Sequence, residues 1–99
     1  MEFLESLRQS ADELAQRAAE LGRVGAARLE ELAARRRIDS LLRELGAVVY
    51  AERVGRSTTD PAEVSRLTEA VRAEEDRAET AARAAEDAAA DAARRDGHP

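Results

Sequence analysis

LGAVVYAERVGRSTTDPAEV, residues 45–64, ends one helix and begins another. Gly55 suits the left-handed conformation that closes a helix C-terminus. Arg56-Ser57-Thr58-Thr59 reads as a loop. Asp60-Pro61-Ala62-Glu63 is a helix start: Asp60 as the N-cap, Pro61 in the first turn, and Glu63 at the third position of a capping box. The only prolines are Pro61 and Pro99, so a helix can run unbroken through 2–54 and through 61–95. A link this short makes two helices antiparallel neighbours. The fold class is therefore all-α: a long N-terminal helix and an antiparallel helical hairpin, coiled-coil-like, with an alanine-rich C-terminal helix.

Upstream of the turn, apolar or small residues recur at Leu4, Leu7, Ala11, Leu14, Ala18, Leu21, Gly25, Leu29 and Leu32. Steps of three and four are those of a buried helix stripe. Ile38, Leu41, Leu42, Leu45, Val48 and Val49 form a second group. At 100° per residue they lie roughly opposite the first stripe, and Arg36 and Arg43 fall where that stripe would have continued. The spacing implies one long helix that meets different neighbours on opposite faces in its two halves. A break at Arg35–Arg37 is the alternative. Glu13→Arg17, Glu31→Arg35 and Asp39→Arg43 sit at the favourable i,i+4 spacing. Gly22 and Gly25 weaken the middle of the helix, and mark either a bend or the close approach of another backbone.

Downstream, the apolar stripe is confined to Val64, Leu67 and Val71, with Ala70 beside it. The same face continues as Glu74, Ala78, Ala81, Ala85, Ala88 and Ala92. Alanine favours helix but brings little area to a core. The expected core is Ile38, Leu41, Leu45, Val48 and Val49 on Val64, Leu67 and Val71, with Tyr50 near the turn. The chain thus divides into an amphipathic helical arm (1–37), a hairpin (38–75, turn 55–60), an alanine-rich helical tail (76–95) that frays or projects, and a disordered end (96–99). The tail could also fold back on the arm, or a second chain could cover it.

Composition narrows the function. Aromatics are 2% of 99 residues, too few to supply a large core, and chains this short bury only a modest share of their surface. A partner is expected, with a second copy the first choice. All 16 basic residues are Arg, which a GC-rich coding bias explains. The net charge of −5 opposes binding to nucleic acid or anionic lipid. Without Cys there is no disulfide, thiolate metal site or redox thiol. No apolar run approaches the ~20 residues of a membrane span. MEFLESLRQS carries acids where a secretory signal carries positive charge, so the cytoplasm is the expected location.

Catalytic residues are not evident, and no cofactor, metal or small-molecule substrate is expected. The sole His, His98, lies near the C-terminus, and no serine has a His within reach of a plausible fold. Glu74-Glu75-Asp76 point in three directions on a helix and cannot converge on one ion; they read as a solvated acidic face. Arg35-Arg36-Arg37 is the sharpest local feature; with Arg28 and Arg43 it puts Arg28, Arg35, Arg36 and Arg43 along one arc, a candidate anion or nucleic-acid face. Interleaved Glu30, Glu31, Asp39 and Glu44 argue for a solvated face or an interhelical salt-bridge strip instead, and no aromatic is near to stack a base. Residues 1–21 are amphipathic, but their polar face is too acidic for an ordinary interfacial membrane helix.

Leu41-Leu42-Arg43-Glu44-Leu45-Gly46, Tyr50 and Gly55-Arg56, with the MEFLESLRQSADELAQRA opening, resemble a family of short, uncharacterised actinobacterial helical proteins. The resemblance spans roughly residues 1–75 and excludes the alanine-rich tail. It implies an amphipathic opening, an Arg-rich step, a turn and a second helix, and it brings no activity and no functional residue.

The expected function is that of a non-enzymatic structural or interaction protein. Its arm contacts would be Leu4, Leu7, Leu14, Leu21, Leu29 and Leu32, meeting a copy of itself or another helical protein. A nucleic-acid accessory role through the arginine arc and a peripheral membrane role through residues 1–21 are the alternatives.

Overall fold

The computed structural model describes residues 2–96 as two helices, α1 (Glu2–Arg53) and α2 (Pro61–Asp96). They form an antiparallel hairpin 81 Å long and 17 Å across, a length set by α1 alone at 1.5 Å per residue.

The turn is built as its residues dictate. Gly55 is left-handed, at φ 74°. Its N–H donates to the Glu52 carbonyl at 3.0 Å, and the Arg56 N–H to the Ala51 carbonyl at 2.8 Å. These paired bonds are a Schellman motif, which satisfies the carbonyls that the helix end leaves open. The Arg56 guanidinium rests 5.9 Å from the centre of the Tyr50 ring. On the far side, Asp60 Oδ1 accepts from the Ala62 N–H at 3.0 Å, capping α2 in front of Pro61.

Between the helices the covered positions step 20, 24, 27, 31, 34, 38, 41, 45, 48 on α1 and 64, 67, 71, 74, 78, 81, 85, 88, 92 on α2. Alternating steps of four and three make a strict seven-residue repeat on both helices, the pattern that keeps one seam facing one partner along a long helix. Cross-helix ion pairs join Arg37 to Glu74, Arg66 to Glu44 and Arg95 to Glu20. They align 48 with 64, 38 with 74 and 20 with 92. The half near the turn is branched and leucine-bearing: Leu67 is fully buried, Val71 buried, and Ile38, Leu41, Leu45 and Val48 half-buried. The far half is alanine, with Ala34, Ala78, Ala81 and Ala85 buried. Such small side chains are covered only where two helices come close.

Several expectations are corrected here. The alanine-rich tail neither frays nor projects. It is helical through Asp96 and packs on α1 as far as Glu20, because its alanines stay in the same seven-residue register as Val64, Leu67 and Val71. Residues 97–99, including His98, lie outside the described residues. The chain does not break at Arg35–Arg37. The two stripes of α1 do face different ways, but α2 follows a single seam past both halves, through Val24, Ala27, Glu31 and Ala34 in the first. The part of the arm left exposed along its whole length is therefore 2–19 rather than all of 1–37. Val49 is exposed because it lies one residue off the seam. No backbone approaches Gly22 or Gly25, where an added Cβ would meet nothing within 4 Å.

Candidate functional site

α2 covers one face of α1, and the leucines lie on another. Leu4, Leu7, Leu14, Leu21, Leu29 and Leu32 are between 45% and 69% exposed. Their positions fall about 100° round the helix from the hairpin seam, so one bound helix cannot cover both. Two separated apolar faces also explain why α1, taken whole, is less amphipathic than α2. The seam positions do not continue into the projecting turns as an apolar stripe. They become Ser6, Ser10, Glu13 and Arg17, all exposed. The hairpin seam thus turns polar where α2 ends, while the leucine face continues to Leu4.

The arginine arc is divided. Arg28 Nη1 donates to Glu31 Oε1 at 2.8 Å, and Arg35 Nη2 to Glu31 Oε2 at 3.1 Å. Both therefore spend their charge on one carboxylate of their own helix, and the Arg28 and Arg35 guanidinium groups hold the Glu31 carboxyl below its ordinary range. Arg36 and Arg43 make no ion pair among the described residues. The interhelical salt bridge falls to Arg37, the member of the Arg35-Arg36-Arg37 run that lies outside the arc. Its Nε donates to Glu74 Oε2 at 2.8 Å.

Glu74 is thus not part of a solvated acidic face. It is 7% exposed, stands in the hairpin seam, and also accepts from Arg77 Nη1 at 2.6 Å. The Arg37 hydrogen bond lowers its carboxyl pKa despite the opposing cost of burial. A second covered acid, Glu20, is 2% exposed. Arg95 Nη1 lies 2.7 Å from its Oε1, close enough for an ion pair, although the N–H is not aimed squarely enough to form a hydrogen bond. For Glu74, its place on the face of Val64, Leu67 and Val71, visible in the spacing, was the signal that outweighs the acidic run around it.

An open groove of about 300 Å³ lies between the helices, lined by Ala27, Glu30, Arg77, Thr80 and Ala84 among others. It sits on the side of α1 away from the leucines, and mixed charge at its rim points to no particular ligand. Among the described residues no group of three or more acids or histidines is placed to hold a metal ion, and no helix is long and apolar enough to cross a membrane.

Fold and surface together define a class: an all-helical hairpin with one uncovered, leucine-bearing face. Compared with protein families, with curated proteins and with solved structures, the chain returned no match.

Proposed function

We propose that this is a non-enzymatic, cytoplasmic structural or interaction protein that works by coiled-coil-like association of helices, in the first place with itself. One observation carries the reading. Six leucines stand on a single face of one continuous helix, and the chain's own second helix is committed to another face. A leucine stripe in water is unfavourable by about 25 cal/mol per Å² of apolar surface left exposed, and helices offer such stripes to other helices. The pairing of Arg28 and Arg35 with Glu31 weakens the nucleic-acid alternative, and the acids of the first two turns weaken the membrane one. Sedimentation or light scattering of the purified chain tests the reading. A mass above that of one chain, falling on dilution and lost in Leu14→Asp, is expected. A strict monomer at every concentration, with no helical partner recovered by crosslinking in cells, would overturn it.

A further inference from the structure

We infer that the partner of residues 2–21 is the same segment of a second copy, running antiparallel. This rests on the association reading above and specifies its geometry. The projecting turns carry two kinds of residue on the leucine face, at positions 4, 7, 11, 14, 18 and 21: four leucines and two alanines. Place two such segments antiparallel about a twofold axis between residues 11 and 14. Leu4 then faces Leu21 of the second copy, Leu7 faces Ala18, and Ala11 faces Leu14, with each layer repeated on the other side of the axis. Beyond the end layers every large side chain meets a small one, the arrangement that fills space without voids.

Competing arrangements are worse for reasons visible in the same stripe. In a parallel pair Ala11 meets Ala11 and Ala18 meets Ala18, leaving gaps. Further along, Arg28 meets Arg28 and Arg35 meets Arg35 as like charges. An antiparallel pair slid by seven residues toward the hairpins sets Leu4 against Arg28. Slid the other way, it loses the Leu21 layers. Arg28 thus fixes the register by interrupting the stripe beyond Leu21. Charge at the ends agrees. The acidic first turn, Glu2 and Glu5, comes alongside residues 20–23 of the second copy, where Arg23 is exposed and Glu20 is already paired with Arg95. A contact of about three heptads falls short of the roughly 800 Å² per partner of a standard interface, so the dimer dissociates on dilution.

The chain contains no Cys, so single cysteines report orientation directly. Leu4→Cys and Leu21→Cys, both at exposed positions, should each stay uncrosslinked alone and crosslink when mixed, under oxidation or with a short bismaleimide. Small-angle scattering at high concentration should give a maximum dimension of about 130 Å, from a helix overlap of about 30 Å, rather than the 81 Å of one hairpin. Leu14→Asp should lose the dimer while keeping its helicity. Self-crosslinking of Leu4→Cys in a protein that does dimerise would overturn the antiparallel geometry and leave self-association standing. A monomer at every concentration would overturn the homotypic contact altogether.

Discussion

Arg37 on α1 donates from Nε to Glu74 Oε2 on α2 at 2.8 Å, pinning the hairpin where its leucine-bearing layers give way to alanine. Alanine layers are nearly interchangeable under a slide of seven residues, whereas a covered carboxylate with one cross-helix donor is not. The pair is thus suited to holding register, the best-attested use of a charge inside a helix seam.

The same pair makes acid sensitivity predictable. The Arg37 hydrogen bond holds the folded Glu74 carboxyl below its ordinary value of 4.5. A carboxyl with a depressed folded pKa contributes stability above its unfolded pKa and loses it as pH falls through the folded one. Glu31, lowered by Arg28 and Arg35, acts in the same direction. Melting temperature should therefore hold steady at mildly acidic pH and drop below about pH 4.5, and Glu74→Gln should flatten that drop. Equal acid slopes in the two proteins would show that the pair is not coupled to folding.

Leu67 and Leu42 test the seam by contrast. Leu67 is completely covered, while Leu42 is exposed on the outer side of α1. Truncation of a buried leucine costs roughly 2–5 kcal/mol, a large share of what a small hairpin holds. Leu67→Ala should lower the denaturation midpoint sharply, and Leu45→Asp should unfold the hairpin by burying an unpaired charge. Leu42→Asp should change stability by no more than about 0.5 kcal/mol. Matching losses at Leu42 and Leu45 would place the seam wrongly.

What could be read in advance follows from how much signal each feature leaves. Gly55, Asp60 and Pro61 act through local backbone chemistry, so the turn and both caps were legible. The leucine-bearing half of the hairpin was legible because branched residues mark it. The other half was legible only in part: Ala78, Ala81 and Ala85 fall on the face of Val64, Leu67 and Val71, but alanine looks alike whether covered or wet, and nothing marked Ala27 and Ala34 as their counterparts on α1. Leucines drew the eye to the uncovered face instead. Glu74 was read as solvated because most acids are, whereas a covered acid, like Glu20 beside Arg95, shows itself only once an arginine from the other helix is placed beside it.

Arg36 makes no ion pair among the described residues and stands off the seam. Arg36→Glu should leave circular dichroism and melting unchanged, within about 0.5 kcal/mol. If the arginine arc holds no nucleic acid, neither the parent nor this variant should retard DNA at low salt. Retention that falls steeply with salt and weakens in Arg36→Glu would instead restore that role.

One substitution should act with opposite signs at three glycines. Gly22 and Gly25 are inside α1, and a methyl group added at either meets nothing within 4 Å. Alanine there removes the entropic penalty of glycine in a helix, about 1 kcal/mol per site. Gly22→Ala and Gly25→Ala should therefore raise helicity and melting temperature together. Gly55 also has open space around it, but its φ of 74° is a conformation in which an L side chain costs roughly 1–2 kcal/mol. Gly55→Ala should lower the melting temperature although no atom clashes, because the Schellman motif needs that backbone angle. Thermal melts of the three variants side by side decide the matter. A stabilised Gly55→Ala would mean that the helix runs on past residue 55, and the turn would have to be placed elsewhere.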